Sequence, residues 1–473
     1  MDASDRSNRR FSLRGVRVVE GSRRGLAFLF SRSDRMLAVT FASLIAVGTL
    51  LLWLPFSHLP GRVSPLDAVF TATSAVCVTG LVVKDTGTDF TPFGQGVILV
   101  LIQLGGLGIM TFAAAATQLL GGKLSFRSQA ALSDTIYQGN AASMLRRDLK
   151  RIVAMTFVIE AIGAALVYSR LGPTSEAHGP IFTAVFHSIS AFCNAGFSLH
   201  ADSLVRYRGD FVVMTTMMLL IVAGGLGHGV VLEGVRRCWN RLRHRPHAPL
   251  MWSLNTRVVV WMSLGLIAAG TVMLLFLGVG GQRDSLGGAV ADAVFQSVTC
   301  RTAGFSTVDV GRLSTTGLLV MAALMFIGGS PASCAGGVKT TSVVTWYAQL
   351  RAWLRGETDV SLLGRRLPGE VVARAAMIIG LAMIWILVGG MVLTYCERGS
   401  AEIGLRDLMF EQVSAFGTVG LSTGVTPNLS VGSRIWIILS MFAGRIGPLT
   451  FAMVVSQRGF AHVRYPEERL MVG

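Results

Sequence analysis

Four segments of the chain carry a glycine at a fixed place behind an acidic or hydroxyl residue and a phenylalanine. They read Asp67-AVFTATSAVCVTGL, Thr183-AVFHSISAFCNAGF, Asp292-AVFQSVTCRTAGF and Asp407-LMFEQVSAFGTVGL. Phe70, Phe186, Phe295 and Phe410 each follow the opening residue by three positions. Each segment closes on a glycine (Gly80, Gly196, Gly304, Gly420) followed by Leu or Phe. Opener and glycine lie 13 residues apart in three segments and 12 in the third, and successive glycines lie 116, 108 and 116 residues apart. Self-similarity at so regular a period marks a repeat architecture.

The chemistry open to such a unit is that of the backbone. Glycine takes φ > 0 readily, which lets neighbouring carbonyls rotate toward one axis. Rings of carbonyl oxygens can replace the hydration shell of a monovalent cation. The candidate donors are Val78, Thr79 and Gly80; Asn194, Ala195 and Gly196; Thr302, Ala303 and Gly304; and Thr418, Val419 and Gly420. Their side chains differ because the backbone would do the coordinating. A single glycine would equally serve close helix packing. Four in register, each behind a short capped segment, favour a filter for K⁺.

A second landmark recurs downstream: Gly105-GLG, Gly224-GLG, Gly328-GSP and Gly444-RIG, at 25, 28, 24 and 24 residues from the first glycine. Each repeat therefore reads as an apolar span, a short amphipathic segment, a glycine loop and a glycine-interrupted apolar span. About ten residues of helix cannot cross a bilayer, so the short segment must enter and turn back. Asp67, Thr183, Asp292 and Asp407 are expected as its N-caps. An anionic cap suits the positive end of the helix dipole, and the negative end then points to mid-membrane. The expected fold is an all-α polytopic membrane protein. It has four parallel helix–re-entrant loop–helix repeats around one central pore, and eight transmembrane helices.

Composition agrees. Of 473 residues 52% are hydrophobic and 14% charged, against about 25% charged in a soluble protein. Runs near the bilayer-spanning length recur at Met36–Phe56, Gly96–Leu120, Phe211–Leu232, Val258–Val279 and Met377–Leu393. The net charge of +16 sits between spans, at Arg6–Arg35, Lys123–Arg151, Arg236–Arg245, Arg351–Arg374 and Arg458–Arg469. Basic loops on alternate sides indicate cytoplasmic termini under the positive-inside rule, and they argue for a membrane rather than nucleic acid as the surroundings. The division expected is a basic cytoplasmic segment 1–35, repeats at 36–120, 148–240, 254–353 and 368–457, and a cytoplasmic tail 458–473. No secretory signal peptide is apparent. The six cysteines show no zinc spacing and read as packing residues.

On these motifs the chain resembles the Trk/Ktr/HKT superfamily of potassium transporters, from about Arg35 to Gly473. TATSAVCVTGL, SAFCNAGFS, SVTCRTAGFST and SAFGTVGLS look like its four filter loops, and GGSPASCAGGVKTT at 328–341 looks like its intramembrane gate loop. Eight spans and the closing PEERLMVG fit the Ktr-type ion-conducting subunit. The resemblance implies K⁺ uptake at the cell membrane by a homodimer with one pore per protomer. It also implies a docked ring of nucleotide-binding regulatory subunits and no organic cofactor. Some relatives with serine at the first filter position pass Na⁺; Gly80 favours K⁺ here.

The gate residues expected are Gly328, Gly329, Gly336, Gly337 and Lys339, with Arg445 as an electrostatic barrier beneath the filter. A kinked helix, and an ion pair of Arg445 with Glu411 or Glu160, are the plainer readings of the same residues. Glu160 and Glu411 are expected to hold the fold, Arg301 to brace the third loop from behind, and His187 to pack. Coupling to Na⁺ or H⁺ stays open, as does a Na⁺-selective or poorly selective transporter. An organic-solute transporter is disfavoured because the repeats are parallel. An enzyme is disfavoured, since HExxH, Walker A and GxSxG signatures are missing and the carboxylates expected to be buried are few.

Overall fold

The computed structural model describes residues 33–119, 141–172, 178–242, 252–279, 286–399 and 403–455. All but the end of the basic segment 1–35, and the whole tail 458–473 with PEERLMVG, lie outside the described residues.

Long and short helices alternate along the chain. First come α1 (Ser33–Trp53), α2 (Pro65–Val76) and α3 (Pro92–Leu119). Then follow α4 (Ala141–Tyr168), α5 (Pro180–Phe192), α6 (Phe211–Leu226) and α7 (His228–Leu242). The next group is α8 (Leu254–Phe276), α9 (Leu286–Thr299), α10 (Thr315–Phe326) and α11 (Thr340–Leu354). The last is α12 (Gly369–Cys396), α13 (Leu405–Gly417), α14 (Val431–Ile446) and α15 (Pro448–Val455). A two-stranded antiparallel hairpin, Ser361–Leu362 with Arg365–Arg366, joins α11 to α12. Its turn residues Leu363 and Gly364 both have positive φ, as a tight two-residue hairpin turn requires.

Among the described residues, three helices are long and apolar enough to cross a membrane: Lys150–Tyr168, α8 and α12. The pair α6–α7 makes a fourth if its 108° bend is counted within one span. Only 28% of each qualifying window is buried, and large apolar side chains such as Trp261, Phe276 and Met391 face outward. A water-soluble protein would not leave such surface exposed. The sequence expects eight spans; among the described residues the apolar parts of α1, α3 and α10 (Leu37–Trp53, Pro92–Gly108 and Thr315–Phe326) fall short of a full span, and other helices after the glycine loops are short or broken. Leu226 and Ile446 end at Gly227 and Gly447, with φ of 90° and 95°. α10 stops at Phe326 and the helix resumes only at Thr340. α3 differs from the expected interruption, running unbroken through Gly105-GLG. Each helical glycine costs only about 1 kcal/mol, which a long apolar helix absorbs.

The short helices begin earlier than the sequence suggested. Pro65 and Pro180 occupy the first turn of α2 and α5, a position for which proline's fixed φ is suited. The N-cap of α2 is therefore Ser64, whose hydroxyl accepts from Asp67 N–H while Asp67 accepts from Ser64 N–H. The caps of α5 and α13 are Gly179 and Gly404, and α9 already begins at Leu286. None of Asp67, Thr183, Asp292 and Asp407 is an N-cap. Asp67 and Asp407 keep the first-turn position that favours an acid.

The four short helices form the centre. α2 lies between α1 and α3, α5 between α4 and α6, and α13 between α12 and α14, while α9 packs on α8. Each is also packed by a helix of the preceding unit: α3 on α5, α6 on α9, α10 on α13 and α14 on α2. The last contact closes the ring. Phe70, Phe186, Phe295 and Phe410 are at most 2% exposed, so the repeated phenylalanine anchors each short helix in this core.

Candidate functional site

The C-terminal ends of α2, α5, α9 and α13 lead into four strands of irregular backbone. Positive φ recurs with one residue between: Val78 and Gly80, Asn194 and Gly196, Thr302 and Gly304, Thr418 and Gly420. Alternating handedness places successive carbonyls on one side of the strand. For valine and threonine this conformation is rare, so something must hold it.

Hydroxyls near the end of each short helix do so. Ser74 O accepts from Thr79 N at 2.8 Å, and its Oγ accepts from Gly80 N at 3.1 Å. Ser414 repeats this with Val419 N at 2.9 Å and Gly420 N at 3.1 Å. In the other two strands the side chain reverses role. Ser190 Oγ donates to Phe197 O at 2.8 Å, and Thr299 Oγ1 donates to Phe305 O at 2.6 Å. Their backbone oxygens still accept from Ala195 and Ala303 N–H, at 2.8 and 2.9 Å. All four hydroxyl residues are fully buried. Sequence reasoning missed them, although a hydroxyl at one register position in all four segments was a readable signal.

The glycines bring the four strands together. A methyl on Gly80 would lie 2.5 Å from Ala195 O and 3.0 Å from Gly196 Cα. On Gly196 it would lie 2.8 Å from Ala303 O and 3.0 Å from Gly304 Cα. On Gly304 it would strike Val419 O, and on Gly420 it would strike Thr79 O. Each glycine thus faces the carbonyl that precedes the next unit's glycine, and the cycle closes on itself. Helix dipoles add partial negative charge where these ends converge.

The second landmark glycines let this ring sit tightly. A methyl on Gly105, Gly224 or Gly444 would collide with Val76 O, Phe192 O or Phe416 O respectively, the last residues but one or the ends of their own short helices. Gly328 faces Gly336 O instead, because residues 327–339 leave the helix as a loop. That loop closes on itself through Gly328 N to Val338 O (2.9 Å) and Thr340 N to Gly329 O (3.2 Å). It is tied to α6 by Ser330 N to Gly225 O (3.1 Å) and Cys334 N to Gly224 O (3.3 Å), and to α14 by Gly337 N to Gly444 O (3.3 Å). His228 adds its Nδ1, 3.0 Å from Ala332 O. A methyl on Gly336 would strike the Thr418 side chain, so the loop lies directly against the fourth glycine strand. Ala335 fits because Gly329 leaves room for its methyl. Lys339 donates to Ala335 O at 2.6 Å.

Arg445 is 3% exposed. Its guanidinium donates to Cys334 O in the loop and to Gly105 O of α3 at 2.6 Å. Among the described residues it has no carboxylate partner, so the expected alternative of an ion pair with Glu411 or Glu160 does not form. Glu411 instead accepts from Ser422 Oγ (2.5 Å), Thr423 N (3.1 Å) and Thr426 Oγ1 (2.8 Å), fastening the strand beyond Gly420. Glu160 accepts from Gln103 Nε2 at 3.1 Å. Arg301 is buried, but its Nε has no acceptor, so no hydrogen bond from that atom braces the third loop. His187 packs against His200 with ring centroids 5.3 Å apart and its Nε2 lies 3.0 Å from Ser198 Oγ.

Two acids expected as caps instead tie neighbouring units. Arg434 of α14 meets Asp67 of α2 at 2.8 Å, and Arg208 meets Asp292 of α9 at 2.5 Å.

Comparison with known proteins follows this geometry. The TrkH family, described as cation transport protein, matches residues 11–459. The Ktr system potassium uptake protein B of Bacillus subtilis is 35% identical over 93% of this chain and 96% of its own. The protein of that name from Vibrio alginolyticus is 34% identical over 98% and 99%. The potassium/sodium uptake protein NtpJ of Enterococcus hirae is 33% identical over 93% and 97%. The crystal structure of the potassium transporter TrkH from Vibrio parahaemolyticus matches with a TM-score of 0.67 at 19% identity, over 89% of this chain and 84% of that one.

Proposed function

The chain belongs to the TrkH family of cation transport proteins, which are not enzymes, and on that footing we propose that it is the K⁺-translocating subunit of a potassium uptake system. The observation that carries this reading is the closed cycle of Gly80, Gly196, Gly304 and Gly420, each against the neighbouring unit's carbonyl. In this reading the chain is four parallel repeats with eight spans, and K⁺ sheds its water into rings of oxygens from residues 78–80, 194–196, 302–304 and 418–420. The buried hydroxyls of Thr79 and Thr418, which have no hydrogen-bond partner among the described residues, suit a path occupied by a cation or water. K⁺ is the cargo, and the residues need no organic group.

The loop from Gly328 and Gly329 through Gly336 and Gly337 to Lys339 is the gate, and Arg445 is its latch as well as a positive barrier below the filter. Both termini are cytoplasmic in the cell membrane. The chain works as a homodimer with a cytoplasmic nucleotide-binding ring, a partnership in keeping with the relatives named as components of Ktr systems.

The test is flux of K⁺, Rb⁺ and Na⁺ into liposomes holding the purified chain, wild type beside Gly80→Ser. Fast K⁺ and Rb⁺ entry with loss of discrimination in the variant is expected. Equal entry of Na⁺ and K⁺ in the wild type would favour the poorly selective reading that the name of the Enterococcus relative suggests. Running the assay with and without a Na⁺ gradient decides coupling.

A further inference from the structure

Helix α7 meets the loop 327–339 through its first residue, His228, and then turns aside. It leaves α6 at 108°, across Gly227, so it runs across the span direction rather than along it. Its level is set by Glu233, which accepts from Ser253 N and Ser253 Oγ, both at 3.0 Å, and from Thr256 Oγ1 at 2.5 Å. Ser253 is the N-cap of α8, a 23-residue membrane-crossing helix. The middle of α7 is therefore level with a membrane face.

The helix carries two adjoining edges. Val235 and Trp239, four residues apart, are 50% and 55% exposed. Arg237 and Arg241, also four apart, lie beside them with Arg236, and Arg236 and Arg241 are exposed. Residues four apart share a helix face. The Arg237 guanidinium sits 4.7 Å over the ring of Trp252, which is itself 41% exposed. Glu233 is the one acid in 228–242; it caps α8 and also feels the charge of Arg237.

We propose that α7 lies in the plane of the inner membrane face and binds anionic phospholipid headgroups through Arg236, Arg237 and Arg241. An in-plane helix with cations beside exposed indole and valine meets both phosphate and acyl chain at that depth. Tryptophan favours the same boundary. An acidic protein would satisfy the arginines but leave Val235 and Trp239 without an apolar surface. The proposal rests on the orientation given above, in which this face is cytoplasmic.

Native mass spectrometry of the full chain, extracted from vesicles mixing phosphatidylcholine and phosphatidylglycerol, counts the lipids retained. The wild type is expected to keep phosphatidylglycerol selectively. A contribution of roughly fivefold per arginine near an anionic surface predicts a loss of at least about tenfold in the triple variant Arg236→Gln, Arg237→Gln, Arg241→Gln. The triple Lys variant is expected to retain most of the preference. Equal phosphatidylglycerol retention by wild type and the Gln variant overturns the site. So does a Gln variant that keeps the lipid but loses an acidic cytoplasmic protein. Cys238 is exposed on the same helix, and reaction with an impermeant maleimide only from the outer side overturns the placement. K⁺ flux read on the same vesicles separates the two readings, since absent flux with selective lipid retention would sink the transport reading and leave the lipid site.

Discussion

Arg445, near the end of α14, donates through Nη1 to the backbone oxygen of Cys334 in the loop 327–339. With Nη2 on Gly105 O, one side chain joins the loop to the first and the last units. The charge is bound to carbonyls rather than to an acid, so it remains a net positive charge beside the loop 327–339.

Removing that clasp should loosen the loop. Hydrogen bonds to a charged group contribute about 1.5–3 kcal/mol each. Arg445→Ala is expected to shift the gate toward open by about tenfold or more, seen as faster K⁺ and Rb⁺ flux in liposomes. Unchanged flux from well-folded variant protein would count against both latch and barrier.

The hydroxyl braces should govern selectivity more than folding. Ser74→Ala and Ser414→Ala each leave a filter glycine N–H buried without an acceptor, at about 1–3 kcal/mol. K⁺-over-Na⁺ preference is expected to fall about tenfold while the protein remains soluble in detergent at normal yield. Preserved selectivity in both variants would show that the strands hold their shape without the hydroxyls.

Gly444→Ala and Gly224→Ala should destabilise the fold, because the added methyl meets a short-helix backbone oxygen that cannot retreat. Overpacking of this kind costs about 1–3 kcal/mol or more. Gly380→Ala makes the contrast: nothing lies within 4 Å of the new methyl, and alanine is the better helix former by about 1 kcal/mol. Thermal unfolding in detergent should separate the two classes cleanly, and equal stability would refute the packing argument.

The inter-unit ion pair Arg208–Asp292 is nearly buried, with Asp292 side chain 1% exposed. Asp292→Asn removes the buried negative charge that faces the guanidinium and is expected to cost about 3–5 kcal/mol. Adding Arg208→Gln should recover part of it. A double variant no better than the single one would mean that the pair does not hold the seam.

His200, in the loop between α5 and α6, has its pKa lowered to about 4, first by burial and then by the charge of Arg206. The unfolded chain then binds more protons than the folded one between about pH 6.5 and 4. Its contribution to stability is complete above about 6.5 and is lost as pH falls toward 4. The unfolding temperature of wild type should drop over that window more than that of His200→Gln. Parallel curves would remove His200 as the cause.

The sequence alone determined that this is a membrane protein built of apolar helices, and it located the four glycine strands and the loop at 328–341. Periodicity carries such information because each repeat must supply the same backbone shape at the same place. The positions of the helix starts were not legible, since Pro65 and Pro180 open their helices before the acid or hydroxyl that looked like a cap. Nor were the partners of Asp67, Asp292 and Arg445. Arg434 lies 367 positions from Asp67, and Arg445 finds carbonyls 111 and 340 positions away. Local propensity says nothing about contacts at that separation. Only ring closure of four units, which buries these groups together and forces each to find a partner, decided which residues meet.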